Sequence, residues 1–121
     1  MRSKWIEYQD KKIFFQDFSG IDLDKSDLVK EELEQVQQIV TSQPENSMLI
    51  LADFRDTSIS RDLLDVMTAS SNKTKKFVRK TAVLGITGTK RMFANLLVSA
   101  TGQSIKMFED EKEAKSWLAK D

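Results

Sequence analysis

The sequence predicts an α/β fold in which a mixed five-stranded sheet carries four helices. Two near-continuous apolar runs, residues 48–54 and 81–86, predict central strands, because strands buried on both faces of a parallel sheet have no polar side. Helical periodicity alternates with these runs, a hairpin precedes them, and a short strand is predicted at residues 104–108. This alternation favours three right-handed crossover units.

The hairpin is predicted from two short runs at the start of the chain. Residues 4–10 alternate in hydropathy, and residues 12–18 form an aromatic-rich second strand. The polar residues between them include no glycine, so the turn type and the register of the two strands stay open.

Four helices are predicted between and after the strands. The first spans residues 27–42 and the second begins after Ser60. The third spans residues 90–101 and the fourth begins after Asp110. Ser60 and Asp110 are predicted N-caps, since their side-chain oxygens can accept an otherwise unpaired backbone N–H. The weakly helical residues 68–72 predict a break or kink in the second helix.

Two residue types are missing from the sequence, and their absence limits the chemistry available to it. The chain has no cysteine, which excludes disulfides, thiolate nucleophiles and thiolate metal sites. It also has no histidine, the commonest general base and zinc ligand. We therefore predict no bound metal, no cofactor and no enzymatic activity.

Length and charge narrow the class of protein further. The 121 residues suit one domain covering residues 1–121. Basic and acidic side chains number 19 each, so no net charge draws the protein toward nucleic acid, and we predict no nucleic-acid partner. No stretch approaches the roughly 20 apolar residues of a spanning helix, so we predict a cytoplasmic protein without an integral membrane segment.

A turn with two glycines, Gly85 and Gly88, closes the second apolar run and contains a candidate anion site. Its residues are Thr87, Gly88, Thr89, Lys90 and Arg91. Backbone N–H groups at a helix start, together with two cations, favour a phosphate or carboxylate ligand. The simpler alternative is a tight turn in which a threonine caps the helix and the cations are solvated.

The polar residues after the first apolar run form a second candidate site. Asp53 and Arg55 lie at the end of a predicted central strand, where open α/β sheets border their ligand crevices. If the two apolar runs are neighbouring parallel strands, residues 53–60 and 87–90 share one rim of the sheet. The competing hypothesis is an enzyme that uses Asp53 with Lys90. A structural hydrogen-bonding role for Asp53 is the alternative to a ligand-binding role and to a catalytic one.

Three segments together resemble a known family. Residues 51–55, 77–91 and 108–118 are similar to STAS-like proteins of bacteria and archaea, a group labelled STAS/CRAL-TRIO-like and similar to the sporulation anti-sigma-factor antagonist. The glycine turn followed by lysine, and the acidic ending with Ala114, Trp117 and Leu118, occur at the spacing of that family. The resemblance covers essentially the whole chain and implies helices packed mainly on one side of the sheet.

The resemblance also implies a phosphoacceptor. Anti-sigma antagonists carry an Asp-Ser-Ser-Gly motif at the helix start after the central strand, and a partner kinase phosphorylates its serine. Here residues 56–59 match with threonine at the acceptor position and isoleucine at the glycine position. Ser60, Thr57 and Ser58 are therefore the candidate phosphoacceptors, with helix capping as the alternative role.

These observations predict a non-enzymatic regulatory or ligand-binding STAS-like module. Its expected partner is a protein, such as an anti-sigma-type regulator, or a small anionic or lipidic ligand, with phosphorylation as a switch. The alternatives are a homodimeric structural protein and a lipid carrier whose aromatic residues line a cavity. A large cavity would remove much of the modest core that 121 residues can build.

Overall fold

A five-stranded sheet forms the centre of the computed structural model, which describes residues 2–86, 91, 95 and 105–120. The described elements are β1 (Lys4–Tyr8), β2 (Lys11–Asp17), α1 (Ser26–Val40), β3 (Met48–Asp53), α2 (Arg61–Thr74), β4 (Val78–Leu84), β5 (Ile105–Phe108) and α3 (Glu111–Ala119). The strands lie in sequence order, β1 antiparallel to β2 and every other neighbouring pair parallel. The predicted α/β fold with a mixed five-stranded sheet is confirmed.

The helices cover both faces of the sheet. On one face Ile50 and Ala52 of β3 pack in the clusters that α1 and α2 close, and on the other face Leu49 and Leu51 pack against α3. Three α-helices, rather than the predicted four, lie within the described residues, and the helix predicted at residues 90–101 lies almost wholly outside them. Among the described helices none has the length and apolarity needed to cross a bilayer.

The prediction of helices mainly on one side holds for α1 and α2 but is wrong for α3. Right-handed crossovers that add strands in one direction place α1 and α2 on the same face. Helix α3 comes after β5 and does not connect two strands of the described sheet, so that constraint does not apply to it. It therefore covers the apolar face that the crossovers leave open, where Ala114 and Leu118 are buried.

The helix caps follow the sequence prediction, but the second helix differs from it. Ser60 Oγ accepts the backbone N–H of Leu63 at 3.1 Å, and Asp110 caps α3 through the N–H of Glu113 at 3.1 Å. The predicted break is absent, because α2 is continuous from Arg61 to Thr74, and the Thr68 hydroxyl donates to the Leu64 carbonyl at 2.9 Å. β4 starts at Val78, three residues before the predicted strand.

A two-residue turn closes the β1–β2 hairpin, as the polar residues predicted. Gln9 and Asp10 have φ angles of 50° and 64°, and the register pairs Tyr8 with Lys11. Two consecutive left-handed residues are typical of a type I′ turn, whose twist matches that of the flanking strands. The turn lacks the usual glycine, so it carries backbone strain.

Replacing the strained turn residue should stabilise the protein. We expect Asp10→Gly to raise the free energy of unfolding by about 1 kcal/mol, because glycine adopts a positive φ without a Cβ clash. Asp10→Ala is the matched control and should lower it, since alanine tolerates this region less well than aspartate. Urea unfolding measures both variants, and shifts of the same sign would contradict the assigned turn.

One buried acid ties α1 to the start of the chain. Glu32 is only 5% exposed, and its carboxylate accepts the backbone N–H groups of Arg2 at 3.1 Å and Ser3 at 2.7 Å. The Ser3 hydroxyl donates to the same carboxylate at 2.6 Å. Burial raises the pKa of Glu32, but these hydrogen bonds outweigh it, so the pKa lies below its ordinary value of 4.5. Ionised Glu32 therefore stabilises the fold.

This linkage predicts a loss of stability in acid. Because the folded pKa of Glu32 is depressed, its contribution is present above about pH 4.5 and disappears as the pH falls through the folded pKa. Near neutral pH, Glu32→Gln should lower the free energy of unfolding by about 1–3 kcal/mol. The gap from the wild type should narrow in acid, as measured by urea unfolding at a series of pH values.

The control for this experiment is Glu31→Gln on the exposed side of the same helix. It removes the same charge and should leave both the stability and its pH dependence close to those of the wild type. A gap between wild type and Glu32→Gln that stays constant down to low pH would contradict the role assigned to Glu32.

Candidate functional site

The carboxyl ends of β2, β3 and β4 meet at one edge of the sheet. There the Phe18 N–H donates to the Asp53 carbonyl at 3.0 Å, and the Phe54 N–H donates to the Leu84 carbonyl at 2.9 Å. The connection from β3 to α2, residues 54–60, is called the rim loop. The last residue of β3 and the first residue of the rim loop are thus bonded to the two neighbouring strand ends, as expected for parallel strands that share one rim.

Thr57 fastens the middle of the rim loop. Its side chain is 2% exposed, its hydroxyl donates to the Phe18 carbonyl, and its oxygen accepts the Ile21 N–H at 3.2 Å. The next residue, Ser58, donates its own N–H to the Ile21 carbonyl at 3.2 Å. The predicted phosphoacceptor Thr57 is therefore a buried internal link, and a kinase would reach it only if the loop opened.

The other two candidate phosphoacceptors are placed differently. Ser60 caps α2 with its hydroxyl oxygen, which is the alternative role considered for it. Ser58 is exposed, and its hydroxyl makes no hydrogen bond within the described part of the chain. Of the three predicted hydroxyls, that of Ser58 is the most accessible to a partner.

The buried carboxylate at the end of β3 is neutralised by its neighbour in sequence. Asp53 is 3% exposed, and the Arg55 guanidinium binds it through two hydrogen bonds, Nε to Oδ1 at 3.0 Å and Nη2 to Oδ2 at 2.8 Å. The Arg55 N–H adds a third at 2.9 Å. These bonds support the structural role considered for Asp53, because the oxygens that a catalytic base would use are occupied.

Arg55 also links the rim to the terminal helix. Its Nη2 lies 3.2 Å from Glu111 Oε1, and Lys115 Nζ lies 3.0 Å from Glu111 Oε2. The hydrogen bond with Asp53 raises the pKa of Arg55, burial opposes that rise, and the charges of Asp53 and Glu111 add to it. The chain of alternating charges therefore joins the end of β3 to the first turns of α3.

A glycine permits the closest contact at this rim. Gly85 has φ +82°, and a Cβ at this position would lie 2.5 Å from the Arg55 nitrogen and 2.8 Å from the Phe54 carbonyl carbon. Both contacts are with backbone, which cannot move aside as a flexible side chain can. The rim loop can pack on the end of β4 only because residue 85 has no side chain.

The family of this chain can be assigned by comparison with known proteins. The sequence model of the SpoIIAA-like family matches residues 22–119. The chain belongs to the SpoIIAA-like family. The STAS-like resemblance seen in the sequence is thereby confirmed.

A solved structure agrees with this assignment at the level of the fold. The SpoIIAA-like chain is similar to the crystal structure of an uncharacterized protein of the DUF3478 family, with a SpoIIAA-like fold, from Shewanella loihica PV-4. The TM-score is 0.71 at 14% identity, and the match covers 97% of this chain and 92% of that one. None of the curated proteins compared with the chain matches it.

The predicted anion site of this SpoIIAA-like protein falls largely outside the described residues. Thr87, Gly88, Thr89 and Lys90 are not among them, and Arg91 is helical and exposed. Anion binding at this turn, and the pairing of Asp53 with Lys90, therefore stay predictions. Within the described residues no group of three or more acidic side chains is arranged to hold a metal ion.

One small cavity lies between the sheet and the helices of its α1–α2 face. It measures about 80 Å³. The lining is mostly apolar and includes Phe18, Leu33, Val36, Ile50, Phe54 and Met67. Ligand pockets typically measure about 300–1,000 Å³, so this cavity is too small for a preformed lipid pocket.

Two residues that shape the SpoIIAA-like rim, Thr57 and Gly85, have structural roles that were not predicted from the sequence. Thr57 was considered only as a phosphoacceptor, and its role as a lock depends on partners 36 and 39 residues away. Gly85 was recognised as part of a turn and not as a point of backbone contact. A glycine directly after a buried strand was the available signal for such a close approach.

The two left-handed glycines of the described chain provide a test of the close approach. Gly85→Ala should lower the free energy of unfolding by about 3 kcal/mol or more, because the new methyl group meets backbone as well as a strained φ. Gly20→Ala is the matched control, since Gly20 has φ +67° with nothing within 4 Å of its Cβ position. It should cost about 1 kcal/mol. Urea unfolding measures both, and equal losses would argue against the contact.

Proposed function

We propose that this SpoIIAA-like protein is a non-enzymatic regulatory module that binds a protein partner through the rim loop and the start of α2. The surface in question is called the rim surface and consists of the exposed residues Asp56, Ser58, Arg61 and Asp62. The observation that supports it most is that a loop locked from inside by Thr57 holds the Ser58 hydroxyl exposed in one conformation.

A preformed loop favours recognition by another protein. Surfaces that are already ordered lose little conformational freedom on binding, so more of the contact energy appears as affinity. The rim loop is ordered by backbone bonds to the ends of β2 and β4 and by the buried Thr57 hydroxyl. The Ser60 cap continues this order into the first turn of α2.

The charges around the rim support binding better than acid–base chemistry. Asp53 is paired with Arg55, and Asp62 accepts a hydrogen bond from Lys30 Nζ at 2.8 Å. The Asp62 carboxylate raises the pKa of Lys30, which keeps that amine protonated. Groups engaged in such pairs are poor proton donors and acceptors for a substrate.

Phosphorylation of Ser58 is the proposed switch on this surface. A phosphate carries close to two negative charges and would join the exposed carboxylates of Asp56 and Asp62. That change converts a mixed surface into a strongly acidic one and weakens binding of a partner with carboxylates of its own. The unmodified form is then the one that binds.

Cross-linking in cells with matched variants tests this proposal. We expect Ser58→Arg to lower the captured amount of a defined set of proteins by about tenfold or more, because a large cation replaces a small hydroxyl at the centre of the surface. Gln38→Arg is the control, because it places the same cationic side chain at an exposed position near the carboxyl end of α1, away from the rim surface. Quantitative mass spectrometry compares the captured proteins and scans Ser58 for phosphate.

The outcomes separate the remaining hypotheses. Partners lost with Ser58→Arg and kept with Gln38→Arg support the rim surface, and a second copy of the chain among them would identify the homodimer. Identical sets of proteins for both variants, with unchanged melting temperatures, would reject the rim surface as the binding site. Native mass spectrometry that shows a copurified lipid would favour the lipid carrier.

A further inference from the structure

The net charge of zero conceals a strong separation of charge along the chain. Residues 17–65 contain twelve acidic and four basic side chains, whereas residues 66–108 contain eight basic side chains and no acidic one. Helix α2 crosses this boundary, with Asp62 and Asp65 near its start and Lys73 in its last turn. Asp65 and Lys73 are eight residues apart, a rise of about 12 Å along the helix, so the acidic and basic ends are separated by more than the screening length of about 8 Å.

The basic side chains gather where α2 ends and β4 begins. This region, called the basic tip, consists of the exposed residues Lys73, Lys75, Lys76 and Arg79. It lies at the amino end of β4, opposite the rim loop. None of the four forms an ion pair within the described part of the chain. In the mostly acidic residues 17–65, by contrast, Lys30, Arg55 and Arg61 all form one.

The fold explains only part of this cluster. The helix dipole favours a cation in the last turn, which accounts for Lys73. The neighbouring Lys80 is also accounted for, since its Nζ donates to the Trp117 carbonyl at 3.0 Å and the Lys120 carbonyl at 2.7 Å. Within the described part of the chain the side chains of Lys75 and Arg79 form no hydrogen bond or ion pair, and Lys76 contacts an aromatic ring and no carboxylate. Like charges held together without counter-ions cost stability, which points to an external anionic partner.

An aromatic ring lies among these cations. Phe77 is half-buried, and Lys76 Nζ lies 5.2 Å from the centre of its ring. Lysine and aromatic side chains combine in this way at membrane interfaces, where the ring meets the headgroup region and the ammonium meets phosphate. Clusters of four or more exposed basic residues are typical of surfaces that bind anionic lipids.

We propose that the basic tip docks this protein on a membrane surface rich in anionic phospholipid. A lipid surface fits better than nucleic acid because the tip is small and has a carboxylate at its edge. The backbone N–H of Asn46 donates to the Lys76 carbonyl at 2.9 Å, so the segment that includes the exposed acidic residue Glu45 adjoins the tip. A nucleic acid would continue past the tip onto such groups, whereas a bilayer contacts the tip alone.

Docking in this orientation leaves the opposite end of the molecule free. The acidic start of α2 and the rim surface lie about one helix length from the lipid, beyond the range of its screened potential. The inference does not depend on the function proposed for the rim, because the two surfaces share no residue. A variant of one surface can therefore be tested without altering the other.

Flotation with lipid vesicles tests the proposal on the full-length chain. We expect binding to vesicles of phosphatidylcholine mixed with phosphatidylglycerol, no binding to pure phosphatidylcholine, and weaker binding as salt is raised. The double variant Lys75→Gln/Lys76→Gln should weaken vesicle binding by about 25-fold, at about fivefold for each cation. Lys4→Gln/Lys12→Gln is the control, since it removes two exposed lysines from the hairpin and should bind as the wild type does.

Three results would overturn the assignment. The first is absence of binding to the anionic vesicles at low salt, with the wild type folded by circular dichroism. The second is an equal loss of binding in both double variants, which would indicate non-specific attraction. The third is tighter binding to single- or double-stranded DNA than to the vesicles in the same buffer, measured by fluorescence anisotropy, which would assign the basic tip to nucleic acid.

Discussion

The fold depends on one strand that is buried on both faces. All six residues of β3 are buried, and their side chains alternate between the α1–α2 layer and α3. Neither face of such a strand tolerates water, because each exposed apolar side chain would forfeit about 1.5–3 kcal/mol of hydrophobic stabilisation. The sheet therefore needs helices on both sides, and α3 is as necessary to the structure as α1 and α2.

Burial of β3 also determines how its polar end is built. Asp53 continues the buried strand, and an ionised carboxylate in that position needs a partner. Arg55, two residues later, turns back to supply it and extends the pairing to Glu111 of α3. The same ion pair anchors the start of the rim loop. The need to neutralise the buried Asp53 carboxylate therefore helps to determine the conformation of the surface proposed for recognition.

The long axis of α2 separates two surfaces of different character. At its start a locked loop presents small polar groups beside carboxylates. At its end lies a group of cations that form no ion pair with any described residue, one of which, Lys76, contacts the Phe77 ring. A protein of zero net charge can thus carry a strong local field at each end, since screened electrostatic forces act over about 8 Å and not over the whole molecule. Our prediction of partners from net charge alone overlooked this separation.

The sequence by itself determined the features whose signals are local. The apolar run of β3, the caps Ser60 and Asp110 and the hairpin could all be predicted, because periodicity, capping and turn formation depend on residues within a few positions of one another. Only the tertiary structure decided that Thr57 lies inside, that the rim loop rests on Gly85 and that α3 covers the second face. Each of these depends on contacts between residues about 30 or more positions apart, and no local pattern records which distant segments a folded chain brings together.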